Sequence, residues 1–143
     1  MGADLGVAFE TGLGSTRLAG EATVAANLDR GYYVADPVAT GYTLRELTWY
    51  GSALQDLTEH GLVGFRVDRY QPTFDQTDYR RGKYLPVDAS VLTLSPLAGV
   101  RLPDRAALNL QYDYVVDLLG VDGRGEPIDL PNDRWTLTGQ VEF

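Results

Sequence analysis

The fold class predicted by this sequence is all-β: an antiparallel up-and-down transmembrane β-barrel architecture with about seven visible strands, forming a single domain over residues 1–143. Three observations predict it. Apolar and polar residues alternate through repeated segments of roughly ten residues, the period of a strand with one greasy and one polar face. No run of about eighteen apolar residues occurs and mean hydropathy is −0.18, which excludes a transmembrane helix and fits strands that alternate. Short polar turns and long polar connections take turns between the segments. Nine Tyr, two Trp and sixteen Gly favour strands joined by tight turns. At 143 residues with 44% hydrophobic composition, the chain would also suit an ordinary soluble domain, so composition alone decides nothing.

The first segment, residues 4–13, sets Leu5, Val7, Phe9, Thr11 and Leu13 against Asp4, Gly6, Ala8, Glu10 and Gly12, and ends in a turn at Gly14-Ser15-Thr16. The second, 17–29, sets Leu18, Gly20, Ala22, Val24, Ala26 and Leu28 against Arg17, Ala19, Glu21, Thr23, Asn27 and Asp29. After a connection over 30–41, the third carries Leu47, Trp49, Gly51 and Ala53 opposite Glu46, Thr48, Tyr50 and Ser52, and closes on the turn Thr58-Glu59-His60-Gly61. The fourth opposes Val63, Phe65 and Val67 to Gly64, Arg66, Asp68 and Tyr70. The longest connection follows, over 71–88. The fifth, 89–102, contains Pro96, which cannot donate to a ladder and marks an edge, a bulge or a misassigned strand. A Pro103-Asp104-Arg105 turn leads to the sixth, where Leu108, Leu110, Tyr112, Tyr114, Val116 and Leu118 oppose Ala107, Asn109, Gln111, Asp113, Val115 and Asp117. A loop over 120–133 precedes the last, in which Trp135, Leu137, Gly139, Val141 and Phe143 oppose Thr136, Thr138, Gln140 and Glu142.

That last segment, a strand that stops on an aromatic, resembles the closing strand of bacterial outer-membrane β-barrels. The resemblance implies an outer-membrane location, recognition of the terminal Phe by the barrel assembly machinery, and contact with outer-membrane lipid and lipopolysaccharide. The order Gly31-Tyr32-Tyr33, Trp49-Tyr50 and Val63-Gly64-Phe65-Arg66-Val67-Asp68-Arg69-Tyr70-Gln71-Pro72, with the strand at 108–117, looks like the final strands of porins of the phosphate-selective type. Such porins are water-filled trimeric channels of about sixteen strands, so the resemblance implies a homotrimer of which this chain supplies part of each barrel. With Phe143 at the periplasmic edge, counting back places the turns at 14–16, 58–61 and 103–105 on the periplasmic side and the three long loops outside, as in that family. Seven strands leave the amino terminus outside, whereas bacterial single-chain barrels have even strand numbers. The expectation is the carboxy-terminal part of a larger even-stranded barrel, with an eighth strand within 32–42 as the alternative. Residues 1–30 lack the charged, apolar and cleavage regions of a secretory signal, which fits a removed leader or a section of a longer protein.

On this alternation the lumen face carries Asp4, Glu10, Glu21, Asp29, Glu46, Asp56, Asp68, Asp113, Asp117 and Glu142 against Arg17, Arg66, Arg101 and Arg134. Of these, Glu10, Glu21, Glu46, Arg66, Asp68, Arg101, Asp113, Asp117 and Glu142 are the expected pore-lining residues. An excess of carboxylates raises the local cation concentration, so the function expected is passive diffusion of small hydrophilic solutes or ions with a weak cation preference. This departs from the phosphate-selective pattern, which needs a basic constriction. The competing reading is that these charges pair with one another across the strands. Trp49, Tyr112, Tyr114, Trp135 and Phe143 on the other face fit a membrane girdle of aromatics, or the core of a soluble barrel.

Other chemistry is poorly supplied. With no cysteine and a single His60 in a turn beside Glu59, neither a thiolate site nor a triad is expected. No Ser sits in a Gly-x-Ser-x-Gly elbow, so no enzyme and no cofactor are expected. The stretch 122–133 offers oxygen ligands without the spacing of a calcium loop, and reads as a solvated acidic loop. The basic and aromatic cluster at 78–84 does not make a nucleic-acid partner of a chain with net charge −8. Two alternatives stand beside the channel: a small structural or adhesive outer-membrane barrel, and a soluble β-barrel that binds a small apolar ligand, with the apolar face turned inward.

Overall fold

In the computed structural model the described residues are 1–28, 43–73, 77–80, 83–86, 90–102, 106–117 and 119–141. The strands are β1 (Gly2–Thr11), β2 (Gly14–Leu28), β3 (Thr43–Leu57), β4 (Gly61–Thr73), β5 (Thr77–Arg80), β6 (Lys83–Pro86), β7 (Val91–Leu102), β8 (Ala106–Asp117), β9 (Gly120–Val121), β10 (Pro127–Ile128) and β11 (Arg134–Val141). Seven of them make one antiparallel sheet in the order β1-β2-β3-β4-β7-β8-β11, each beside its predecessor in the meander. β5–β6 and β9–β10 are separate two-stranded hairpins within the long connections. The seven predicted segments are thus the seven strands of the main sheet.

The first turn lies two residues earlier than expected. Thr11 pairs with Gly14 around Gly12-Leu13, while Ser15 and Thr16 belong to β2. Gly14 has φ +135°, and a Cβ there would meet the Asp56 carbonyl oxygen at 2.7 Å, so only glycine fits both backbone and space. The second turn is Thr58-Glu59-His60, and its Thr58 N–H donates to the Leu13 carbonyl at 2.9 Å. The Arg101 N–H donates to the His60 carbonyl at 2.7 Å. The tight turns therefore gather at one end of the sheet. Leu102 pairs with Ala106 at that same end, across residues 103–105, which lie outside the described residues. The loop 119–133 is at the other end.

Pro96 is neither at an edge nor in a bulge. β7 is an interior strand, and its register with β8 is the same before and after the proline: Leu94 opposes Tyr114 and Leu97 opposes Gln111, with no ladder pair between them. The missing N–H costs a local gap rather than a change of register, and a side-chain bond fills it, from Ser95 Oγ to Asp113 Oδ1 at 2.7 Å.

Register then decides which residues share a face. Val7, Leu18, Ala53, Phe65 and Pro96 lie on one row across the strands, and Tyr112 opposes Trp135 on its continuation. Within the described strands the apolar faces predicted for six segments, all but the fifth, fall on this side of the sheet and their polar faces on the other, with Asp29, Leu118, Glu142 and Phe143 outside the described residues. The two sides differ in enclosure. Among the described residues no hydrophobic side chain is buried, whereas Ser95 and Asp113, both on the polar side, are only 5% exposed. Along β8 the outward Leu108, Leu110 and Tyr114 are exposed while Asn109, Gln111 and Asp113 are half-buried or buried. The asymmetry belongs to the middle of the sheet, since β1 is exposed on both faces.

The apolar stretch also slants across the strands. On β3 it runs from the common row up to Leu47, toward the loop end, with Gln55 below it. On β11 it runs from the row down to Val141, with Asp133 above it. The shift is not uniform over the sheet: on β1 the exposed Leu5, Val7 and Phe9 are centred on the common row.

The outer edges, β1 and β11, have no strand partner among the described residues. With seven strands in an up-and-down order, these two edges run in the same direction.

Candidate functional site: a charged wall on the enclosed face

The polar side of the sheet is organised as rows of paired charges. At its centre Arg66, Ser95, Asp113 and Arg134 follow one another across β4, β7, β8 and β11. Asp113 accepts from Ser95 Oγ at 2.7 Å, from Gln111 Nε2 at 2.6 Å and from Arg134 Nη2 at 3.0 Å. Its low exposure is affordable because both carboxylate oxygens are satisfied. Arg66 lies over the Tyr50 ring, 4.4 Å from its centroid, and its Nε donates to Asp68 Oδ2 at 2.8 Å. The guanidinium is thus held flat against the wall by a carboxylate and an aromatic face.

Toward the tight turns, Asp56 binds two cations, Arg17 at 3.1 Å and Arg101 at 2.7 Å, which ties β2, β3 and β7 together. Toward the loops, the Tyr70 hydroxyl donates to Glu46 at 2.9 Å. A recess of about 390 Å³ opens between these groups, lined by Glu21, Tyr50, Arg66, Asp68 and Tyr70 among others.

Pairing is uneven across the sheet. All four arginines expected on this face have carboxylate partners, and they use up Asp56, Asp68 and Asp113. Asp4 and Glu21 are direct cross-strand neighbours on β1 and β2, and neither has a cationic partner among the described residues. Glu10, opposite Ser15 near the turns, has none either. Like charges placed opposite one another repel. Asp4, Glu10 and Glu21 are thus carboxylates of the wall without an arginine partner among the described residues, and so is Asp117, which accepts from amide N–H groups instead.

Of the expected lining residues, Glu10, Glu21, Glu46, Arg66, Asp68, Arg101, Asp113 and Asp117 lie on the polar face, and Glu142 lies outside the described residues. Arg66 with Asp68 is the one pair among them that the fold joins directly. Ser95, Tyr50 and Tyr70, which complete the networks, carry no signal in the sequence beyond their parity within a strand. Trp49, Tyr112, Tyr114 and Trp135 share the apolar face, with the Tyr112 and Trp135 rings 4.6 Å apart, and Phe143 lies outside the described residues.

The acidic loop has an internal use for its carboxylates. Where β11 ends its pairing with β8, Asp133 and Asp129 take its place. The Val115 N–H donates to Asp133 Oδ1 at 2.9 Å and the Asp117 N–H to Asp129 Oδ1 at 2.8 Å. Asp133 also accepts from the Tyr112 hydroxyl at 2.6 Å, and the hydroxyl and the Val115 amide together hold its carboxyl below the ordinary value. Asp117 Oδ2 accepts from Asn132 Nδ2 at 2.7 Å, and Asp122 caps the turn at Arg124 and Glu126. Among the described residues no group of three or more His, Asp or Glu side chains is arranged to hold a metal ion. His60 is an exposed turn residue 3.4 Å from Glu59. The cluster at 78–84 falls on the β5–β6 hairpin, with residues 81 and 82 outside the described residues.

Compared with protein-family models, curated proteins and solved structures, the chain matches none.

Proposed function

We propose that this sheet is a section of the wall of an outer-membrane β-barrel porin, which passes small hydrophilic solutes or ions by diffusion with a weak preference for cations. The observation that carries the reading is the inside-out distribution of side chains. About seventeen large apolar side chains on one face of the main sheet are more than a third exposed, and the most enclosed groups on the sheet are polar. Leaving one such side chain half in water forgoes about 1 kcal/mol, so the face as a whole forgoes more than the ~5–15 kcal/mol by which domains are stable. An apolar medium against that face removes the deficit. A bilayer is such a medium, and alternating strands of about ten residues have the length to span it.

Backbone accounting supports a larger barrel rather than closure of these seven strands. Unpaired edge groups cost several kcal/mol each in hydrocarbon, so β1 and β11 need partners. Since the two edges run in the same direction, antiparallel closure takes an odd number of further strands, which makes the total even. A soluble barrel with apolar lining is disfavoured by the same pattern, because Asp113 and Ser95 are more enclosed than the apolar side chains of the opposite face.

The charge of the wall sets the selectivity. Carboxylates already matched to arginine contribute little field, so the cation preference comes from those that are not, Asp4, Glu10 and Glu21 on β1 and β2 and Asp117 at the loop end of β8. The test is reversal potential in planar bilayers under a salt gradient. The protein should conduct and favour cations, and Glu21→Gln with Asp4→Asn should move the reversal potential toward zero with the conducting state intact. Absence of channel events from protein that inserts would overturn the porin reading in favour of a structural barrel.

A further inference from the structure

Arg69 stands on the apolar face. Alternation along β4 puts Arg69 among the apolar residues, and the register confirms it: Arg69 lies directly opposite Trp49 on β3 and Leu92 on β7, two residues beyond Val67. Arg45 on β3 falls on this face by register too, opposite Ala26 and Thr73, and Arg69 is the charged residue there whose side chain is described. Unlike the four arginines of the polar face, it has no carboxylate partner among the described residues. Its height is informative. On β4 the apolar stretch Val63, Phe65 and Val67 ends at Arg69, and exposed Gln71 follows on the same face, on the side away from the tight turns. The indole of Trp49 is its cross-strand neighbour at the same level.

We propose that Arg69, with Trp49 beside it, is a binding site for the phosphate of a membrane-lipid headgroup at the loop-side rim of the apolar band. The proposal rests on the wall reading above and adds to it a residue, a ligand group and a position. An arginine on the lipid face costs ~2–4 kcal/mol at the bilayer midplane and ~0–1 kcal/mol near the interface, so a rim position is where the band tolerates it. There a planar guanidinium with five N–H donors meets phosphate oxygens in the bidentate geometry that suits both. Indole rings settle at the same headgroup level. A net charge of −8 repels anionic lipid in general, so attraction at this point depends on the local cation.

The experiment uses Trp135→Phe protein, in which Trp49 is the chain's sole indole. Reconstitution into vesicles whose acyl chains carry bromine first tests the wall. Quenching of Trp49 is expected for Arg69, Arg69→Lys and Arg69→Leu proteins alike, and no quenching in any of them would sink the wall reading itself. The second measurement titrates the detergent-solubilised protein with phosphatidylglycerol and, separately, with a phosphate-free diglucosyl diacylglycerol, following Trp49 emission. Phosphatidylglycerol should bind about tenfold or more weakly to Arg69→Leu, since a charge-assisted bond is lost, and by less to Arg69→Lys. The glycolipid should bind all three equally. Equal phosphatidylglycerol affinity in Arg69 and Arg69→Leu proteins, with quenching retained, would overturn the phosphate site alone. Displacement of phosphatidylglycerol by an equal concentration of inorganic phosphate would overturn the lipid as its source.

Discussion

Leu137→Arg and Thr138→Arg are neighbours in sequence, and they should differ by more than any other adjacent pair on β11. Leu137 points from the apolar face, pairs with Leu110, and lies near the middle of the apolar run from Trp135 to Val141; it is 66% exposed. Thr138 points from the polar face, opposite Asn109. In a bilayer, Leu137→Arg moves a guanidinium into hydrocarbon near mid-depth and should cost about 2–4 kcal/mol. Thr138→Arg places the same group in water on the lumen side and should stay within about 0.5 kcal/mol. Were the apolar face bathed in water, Leu137→Arg would also stay within about 0.5 kcal/mol, because a side chain two-thirds exposed loses little on becoming polar. The assay is reversible denaturant unfolding from vesicles, followed by tryptophan emission and read as a midpoint shift at constant slope. A midpoint for Leu137→Arg equal to that for Thr138→Arg would refute the assignment of faces to media.

Three further outcomes follow from the same geometry. Gly14→Ala should destabilise by about 2 kcal/mol, combining the φ of +135° with a Cβ set 2.7 Å from the Asp56 carbonyl, and equilibrium unfolding would measure it. The depressed carboxyl of Asp133 contributes stability that is complete above the ordinary value of 3.8 and is lost as pH falls below it through the folded value. Hydrogen exchange of the Val115 amide, corrected for its intrinsic rate, should therefore accelerate below that pH in the wild type and be fast already at neutral pH in Asp133→Ala. Ser95→Ala should loosen the Leu94 to Leu97 stretch, visible as faster exchange of amides around Asp113, because the hydroxyl is what spans the gap at Pro96.

Alternation made the sheet legible. In β8, Leu108, Leu110, Tyr112, Tyr114 and Val116 fall on one face and Ala107, Asn109, Gln111, Asp113, Val115 and Asp117 on the other, as the alternation predicts, with Leu118 outside the described residues. The turn before β2 slipped by two residues because Ser15 and Thr16 read as turn formers while the left-handed position belongs to Gly14 alone. The hairpins β5–β6 and β9–β10 were hidden because four- and two-residue strands are too short to show a period, and their surroundings are rich in Gly, Pro and charge. At the site, parity was enough to predict which residues share the enclosed face, but not which of them touch. Partnership depends on register, and register is set by long-range pairing: Arg66 meets Asp68 along its own strand, while Asp56 reaches Arg17 and Arg101 from two others. For the same reason the role of Asp129 and Asp133 as substitutes for a strand was not readable; a run of acids in a loop looks alike whether it solvates or caps.

The central claim is that the apolar face meets lipid and the polar face meets water. A single-cysteine scan of residues 134–141 tests it most directly, since the chain has no cysteine of its own. Each position would carry a spin label in membrane-embedded protein, with relaxation by oxygen, which concentrates in hydrocarbon, compared with relaxation by a water-soluble nickel chelate. The account predicts a period of two, with oxygen dominant at 135, 137, 139 and 141 and the chelate dominant at 134, 136, 138 and 140. The reverse phase, or chelate access at every position, would contradict it.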